Sequence, residues 1–221
     1  TMIQVSGLDT RHGITLGFES LPPGVTATQP RLSDSALVPV VFTASKEAEL
    51  VAALATPVAA AETGPKQRPI QHQHEFPTLR VRNNQPYDTH AVHSLPVVVT
   101  DPMPFDIKAA APRVPLVRSG SLSLPVRIIR TKGFGGTVTI RAMWLPAGVS
   151  AGTLHLSGSK TEGRIPFNAN PRAALGSWPI VLTASTSLAG VTRTITTNVL
   201  PFDLQEPWIT AKLPRARVEQ G

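Results

Sequence analysis

The densest group of chemically capable side chains lies in "QHQHE", where His72, His74 and Glu75 are followed by His90 and His93. Histidines at i and i+2 share one face of a strand, and imidazoles brought together can hold zinc or copper. The spacing fits no established ligand pattern and the chain contains no Cys. The simpler reading is a set of exposed histidines in a polar, proline-punctuated loop, "GPKQRPIQHQHEFPTLRVRNNQPYD", so metal binding by His72, His74, His90 and His93 stays open. Asp88, His90, His93 and Ser94 supply acid, base and nucleophile types, but they are too local in sequence to make a triad by themselves. Neither G-x-S-x-G nor H-E-x-x-H occurs. In the second half Asp106, Glu162, Asp203, Glu206 and Glu219 are separated, whereas a glycosidase needs two carboxylates across a cleft. No catalytic residue, cofactor or metal ligand is assigned, and the chain is read as not an enzyme. Trp144, Trp178 and Trp208 offer planar faces for sugar stacking, with burial in a core or under a loop the simpler fate.

Charge is divided unevenly. Residues 1 to 105 carry 7 Lys/Arg and 9 Asp/Glu, net −2, and residues 106 to 221 carry 14 and 5, net +9. A basic half attracts anionic partners such as acidic polysaccharide, nucleic acid or a membrane surface. Its cations (Arg127, Arg130, Lys132, Arg141, Arg164, Arg172, Arg193) are dispersed rather than in one run, and aromatics to stack bases are few. Specific nucleic-acid binding is therefore not expected; a weaker polyanion preference is the alternative to a solvated face.

The elements that must position these residues are short. In 221 residues there are 22 Pro and 16 Gly, with 41% hydrophobic and 16% charged residues, which favours a globular chain over a disordered one. The longest weakly polar run, from Leu50 to Ala61, contains Pro57 and is too short to span a bilayer. The opening "TMIQVSGLDT" has no signal-peptide pattern, and neither it nor the absence of Cys chooses a compartment.

An internal repeat organises the chain. "ITLGFESLPPGVTA" (14–27) aligns without gaps to "VTIRAMWLPAGVSA" (138–151) at an offset of 124, matching Leu21, Pro22, Gly24 and Val25 to Leu145, Pro146, Gly148 and Val149. The segment around Phe42 parallels that around Phe167 at an offset of 125. "PFDI" (104–107) and "PFDL" (201–204) match at 97, which predicts about 28 extra residues in the first copy, at about 63–90. In the second copy Leu122, Leu124, Val126 and Ile128 alternate, as do Val138 and Ile140, and Ile165 and Phe167. Alternation with Gly/Pro turns predicts strands of a two-sheet sandwich, with Leu16, Phe42, Ile140, Phe167 and Ile180 in the core. "KEAELVAALA" (46–55) is rich in helix formers and predicts at most a short helical turn near 47–54, before a strand near Val58.

The stretch "GFGGTVTIRAMWLPAGVSAGTLHLSGSKTEGRIPFNANPRAALGSWPIVLTAS", with its Gly-Gly turn, alternating strand and "LP-x-GV", resembles tandem immunoglobulin-like modules of large bacterial exported proteins, often found beside pre-peptidase C-terminal modules. The resemblance implies an all-β chain of two tandem Ig-like antiparallel β-sandwiches. The first spans 1–103, with its leading strand missing and the insertion at about 63–90. The second spans 104–200, and 201–221 is the opening segment of a third module or a free tail. It further implies non-catalytic structural or adhesive spacers of a secreted or cell-surface protein, whose partners are neighbouring modules and extracellular polysaccharide or another protein. The alternative is a carbohydrate- or polyanion-binding β-sandwich module.

Overall fold

The computed structural model describes residues 1–4, 14–29, 37–61, 68–69, 74–80, 86–92 and 94–209. Their regular structure is entirely β, and none of them forms a helix that could cross a membrane. The chain divides into two compact units, Thr1–Pro104 and Phe105–Gly221.

In the first unit the strands are β1 (Met2–Gln4), β2 (Ile14–Glu19), β3 (Val25–Thr28), β4 (Leu37–Pro39), β5 (Val41–Ala44), β6 (Ala52–Ala61), β7 (Arg68–Pro69), β8 (His74–Arg80), β9 (Pro86–Val92) and β10 (Leu95–Val98). They pair antiparallel as β1 with β4, β3 with β5, β8 with β9, and β10-β6-β2 with β7 added to β6. Ile3, Leu16, Val38 and Val40 form a buried cluster against which Phe18, Ala27 and Phe42 pack. Phe42 is thus only partly buried, in edge contact with Phe18 at 5.1 Å. The helical turn predicted within 46–55 is absent, and the strand begins at Ala52 rather than near Val58. Ala52–Ala55 pair with β10, and Thr56–Ala61 pair with β2, so two ladders outweigh local helix propensity.

In the second unit the strands are β11 (Phe105–Ala109), β12 (Leu116–Val117), β13 (Ser121–Arg130), β14 (Val138–Ala142), β15 (Val149–Ala151), β16 (Leu154–Leu156), β17 (Glu162–Ala169), β18 (Gly176–Ile180), β19 (Leu182–Leu188), β20 (Val191–Thr196) and β21 (Leu200–Gln205). One sheet runs β11-β13-β17-β15, another β16-β14-β19-β20, and a third β12-β21-β18, in which β12 and β21 are parallel. Only Val181 separates β18 from β19, and the partner strand breaks at the same level, between β20 and β21. Buried Thr197 bridges that break: its N–H donates to the Leu182 carbonyl (2.9 Å), and its hydroxyl accepts from the Leu182 N–H (3.1 Å). The backbone groups that leave the ladder are thereby satisfied. Ile140, Phe167 and Ile180 are fully buried here, as Leu16 is in the first unit.

The repeat extends to strand register. Val25 pairs with Ala44 and Ala27 with Phe42; Val149 pairs with Ala169 and Ala151 with Phe167. Thr15 pairs with Ala60, as Thr139 pairs with Ser185. In each case one strand is offset by 124 (Val25 to Val149) and its partner by 125 (Ala44 to Ala169). The "LP-x-GV" turns match as well. Gly24 and Gly148 take φ of 75° and 79°, and in each copy the following valine N–H donates to the first proline carbonyl at 3.1 Å.

The last landmark falls elsewhere. Ala55 pairs with Leu95, and Ile180 with Leu200, so the offset drops from 125 to 105 and the surplus in the first unit is 20 residues, not 28. It includes the β8–β9 hairpin. The equivalent sequences are "LPVVVTDP" (95–102) and "LPFDLQEP" (200–207), whereas "PFDI" belongs to β11. Residues 201–205, expected to open a third module or trail freely, are instead hydrogen-bonded within β21, with Phe202 and Leu204 each 1% exposed. Residues 210–221 lie outside the described residues.

Candidate functional site

The strands β11, β13 and β17 place five charged residues, Asp106, Lys108, Arg127, Glu162 and Arg164, on one surface. In β13 the buried Leu124, Val126 and Ile128 alternate with exposed Ser123, Pro125 and Arg127, so the latter set faces outward. Register puts Lys108 beside Arg127, Arg127 beside Glu162, and Pro125 beside Arg164. Arg127 Nε lies 3.7 Å from Glu162 Oε1, with both side chains about two-thirds exposed (68% and 69%). One Arg164 nitrogen donates to the Ser123 carbonyl at 3.0 Å. Lys108, Arg127, Glu162 and Arg164, with Ala110 and Pro125, line an open groove of ≈ 640 Å³. The nearby carboxylate of Asp106 accepts the N–H of Ile107 at 2.8 Å.

Arg130 is different. Its three guanidinium nitrogens donate to the carbonyls of Gly136 (2.7 Å), Leu156 (2.9 Å) and Lys160 (3.3 Å). The guanidinium also lies 5.3 Å from the centre of the Phe134 ring, which stacks on Phe105 at 5.6 Å. It fastens the end of β13 to the turn that follows and to the end of β16. Arg118 is likewise engaged, donating to the Ala173 carbonyl (2.9 Å) and pairing with Glu206. Arg141 lies on β14, in another sheet, as an exposed neighbour of buried Ile140. Arg127, Arg130 and Arg141 therefore do not form one cationic face.

Of the four histidines, His74 and His90 are in the β8–β9 hairpin, opposite Val92 and Phe76, two ladder steps apart. His72 and His93 lie outside the described residues. Asp88 is opposite Leu79 in the same hairpin, and Ser94 follows it before β10. Among the described residues no group of three His, Cys, Asp or Glu is placed to hold a metal ion.

The tryptophans do not form a common platform. Trp144 and Trp178 meet edge to face at 6.1 Å, and their ring N–H groups donate to the carbonyls of Pro179 (3.0 Å) and Ala174 (2.9 Å). Both polar handles are used internally, as partial burial requires. Trp208 stands apart, 78% exposed.

The sequence signal for the groove is parity. Lys108 follows Ile107, Arg127 follows Val126, and Arg164 precedes Ile165; each cation is next to a core residue and so faces outward. Parity does not give lateral order, and Lys108 is not among the cations that the sequence singles out. Compared with protein-family models, curated proteins and solved structures, the chain matches none of them.

Proposed function

We propose that the chain is a pair of immunoglobulin-like β-sandwich modules acting as a non-catalytic structural or adhesive spacer in a larger exported or cell-surface bacterial protein. The observation that carries this reading is the repeated strand register, offset by 124 on one strand and 125 on its partner in both comparisons. What the units share is scaffold: Leu21, Pro22, Gly24 and Val25 recur as Leu145, Pro146, Gly148 and Val149. Their surfaces differ. Matching β4 to β17 at the offset of 125 sets Leu37 against Glu162 and Pro39 against Arg164, and their ladder partners then set Gln4 against Arg127 at an offset of 123. Duplicated architecture with divergent surface suits modules whose common task is to hold a length of chain folded.

In the second unit the order β11-β13-β17-β15 supports the Ig-like assignment. So does the placing of β14, then β18 and β19, then β20 and β21, as the opposed strands, with β12 parallel to the last. Stretching the intact chain between tethered ends tests the reading. Two separate unfolding events are expected, each releasing about 30–40 nm, at roughly 3.3–3.6 Å per extended residue. One cooperative release of the whole chain would contradict it.

A further inference from the structure

We infer that the groove on the outer face of β11, β13 and β17 is a docking surface for a linear polyuronate, an acidic polysaccharide with a carboxylate on each sugar. This goes beyond the spacer reading and does not depend on it. Three cations, Lys108, Arg127 and Arg164, converge from three neighbouring strands, against the single groove carboxylate of Glu162. The Arg127–Glu162 pair is exposed and separated by 3.7 Å. Such pairs contribute little, so an incoming carboxylate exchanges with Glu162 at small cost. Arg164 is already oriented by its bond to the Ser123 carbonyl, so less side-chain freedom is lost when it binds. Lys108 and Arg127 are directly opposite each other, and Arg164 lies on the diagonal from Arg127, about 7–8 Å away, so the three cations form a bent row that a flexible polyanion can follow. The surrounding exposed positions are Asp106 and Ile129 at one end and Ser121, Ser123, Pro166 and Asn168 at the other, and none is aromatic. A nucleic acid would find phosphate contacts here but nothing on which to stack its bases, whereas a polyuronate needs only cations and hydroxyl partners.

The test is titration of the intact chain with polygalacturonate at low and physiological salt, beside dextran, heparin and single-stranded DNA at matched charge. Saturable, salt-weakened binding of polygalacturonate and none of dextran is expected. The double variant Arg127→Gln/Arg164→Gln should lose roughly tenfold or more in affinity, with a single cooperative melt lowered by no more than the few degrees that exposed contacts contribute. Arg141→Gln/Arg193→Gln, which removes the same charge from another sheet, should stay within about twofold. Equal losses in the two variants would mean net charge rather than the groove, and would overturn the proposal. So would tighter binding of heparin or DNA than of polygalacturonate, or no binding by the intact chain. None of these results bears on whether the units unfold separately under force, so the spacer reading fails or survives by itself.

Discussion

The rings of Phe167 and Phe202 lie 5.0 Å apart, one from β17 and the other from β21, joining two sheets across the core of the second unit. Both are essentially without solvent exposure. Phe202→Ala should destabilise the unit by about 3–5 kcal/mol through lost burial and the cavity left behind. Trp144, Trp178 and Trp208 are the only tryptophans and all belong to this unit, so fluorescence-monitored urea unfolding reads it selectively. Trp208→Ala, at an exposed position, should change stability by no more than about 0.5 kcal/mol. Equal effects from the two substitutions would contradict the place given to β21.

Gly148 combines two constraints. Its φ of 79° disfavours any side chain, and an added Cβ would lie 2.6 Å from Ala173 Cα and 2.7 Å from Asn170 Oδ1. Gly133 has a similar φ of 89° with nothing within 4 Å. Gly133→Ala should therefore cost only the left-handed backbone term, about 1–2 kcal/mol. Gly148→Ala should cost more by at least about 1–2 kcal/mol, as the packed turn must shift. Paired urea melts measure the difference, and parity between the two would remove the contact argument.

Two arginines of β13 should behave oppositely. Removing the Arg130 guanidinium leaves the carbonyls it serves short of a donor, and Arg130→Gln is expected to cost about 1–3 kcal/mol. Arg127→Gln removes one exposed ion pair and should cost roughly 0–1 kcal/mol. Thermal melts resolve this: each kcal/mol shifts the midpoint of a domain near this size by about 4–8 °C. A larger loss at Arg127 than at Arg130 would reverse the assignment.

How much the sequence discloses depends on how local the determining contacts are. The alternation of Leu124, Val126 and Ile128 forces one face of β13 inward, and "LP-x-GV" specifies its turn through a glycine at positive φ; both are legible over a few residues. Arg130 carried the same kind of signal, since it shares the parity of those core residues. Its composition reads as surface charge, yet position turns it inward at the strand's end, where three carbonyls meet it. The stretch 46–55 misleads because helix propensity is local, whereas the ladders of β6 come from strands distant in sequence. The match of "PFDI" to "PFDL" misleads for a related reason. Four residues can recur by composition, and only pairing to Ile180 and Ala55 shows that Leu200 answers to Leu95. The groove is half legible: parity exposes its cations, and register alone brings them side by side.

The duplicated register is tested most directly by disulfide trapping, since the chain has no cysteine of its own. Thr26 faces Thr43, and Ser150 faces Asn168, all four exposed and at equivalent places in the two units. Directly opposed strand residues have Cα atoms about 4.5–5.5 Å apart, within reach of a disulfide. Thr26→Cys/Thr43→Cys and Ser150→Cys/Asn168→Cys should both close under mild oxidation of the folded chain. The slipped pairs Thr26→Cys/Ser45→Cys and Ser150→Cys/Asn170→Cys, exposed and two residues out of step, lie on a diagonal of about 7–8 Å and should remain largely reduced. Closure of the slipped pairs as readily as the opposed ones, or closure in one unit alone, would contradict two units built on one ladder.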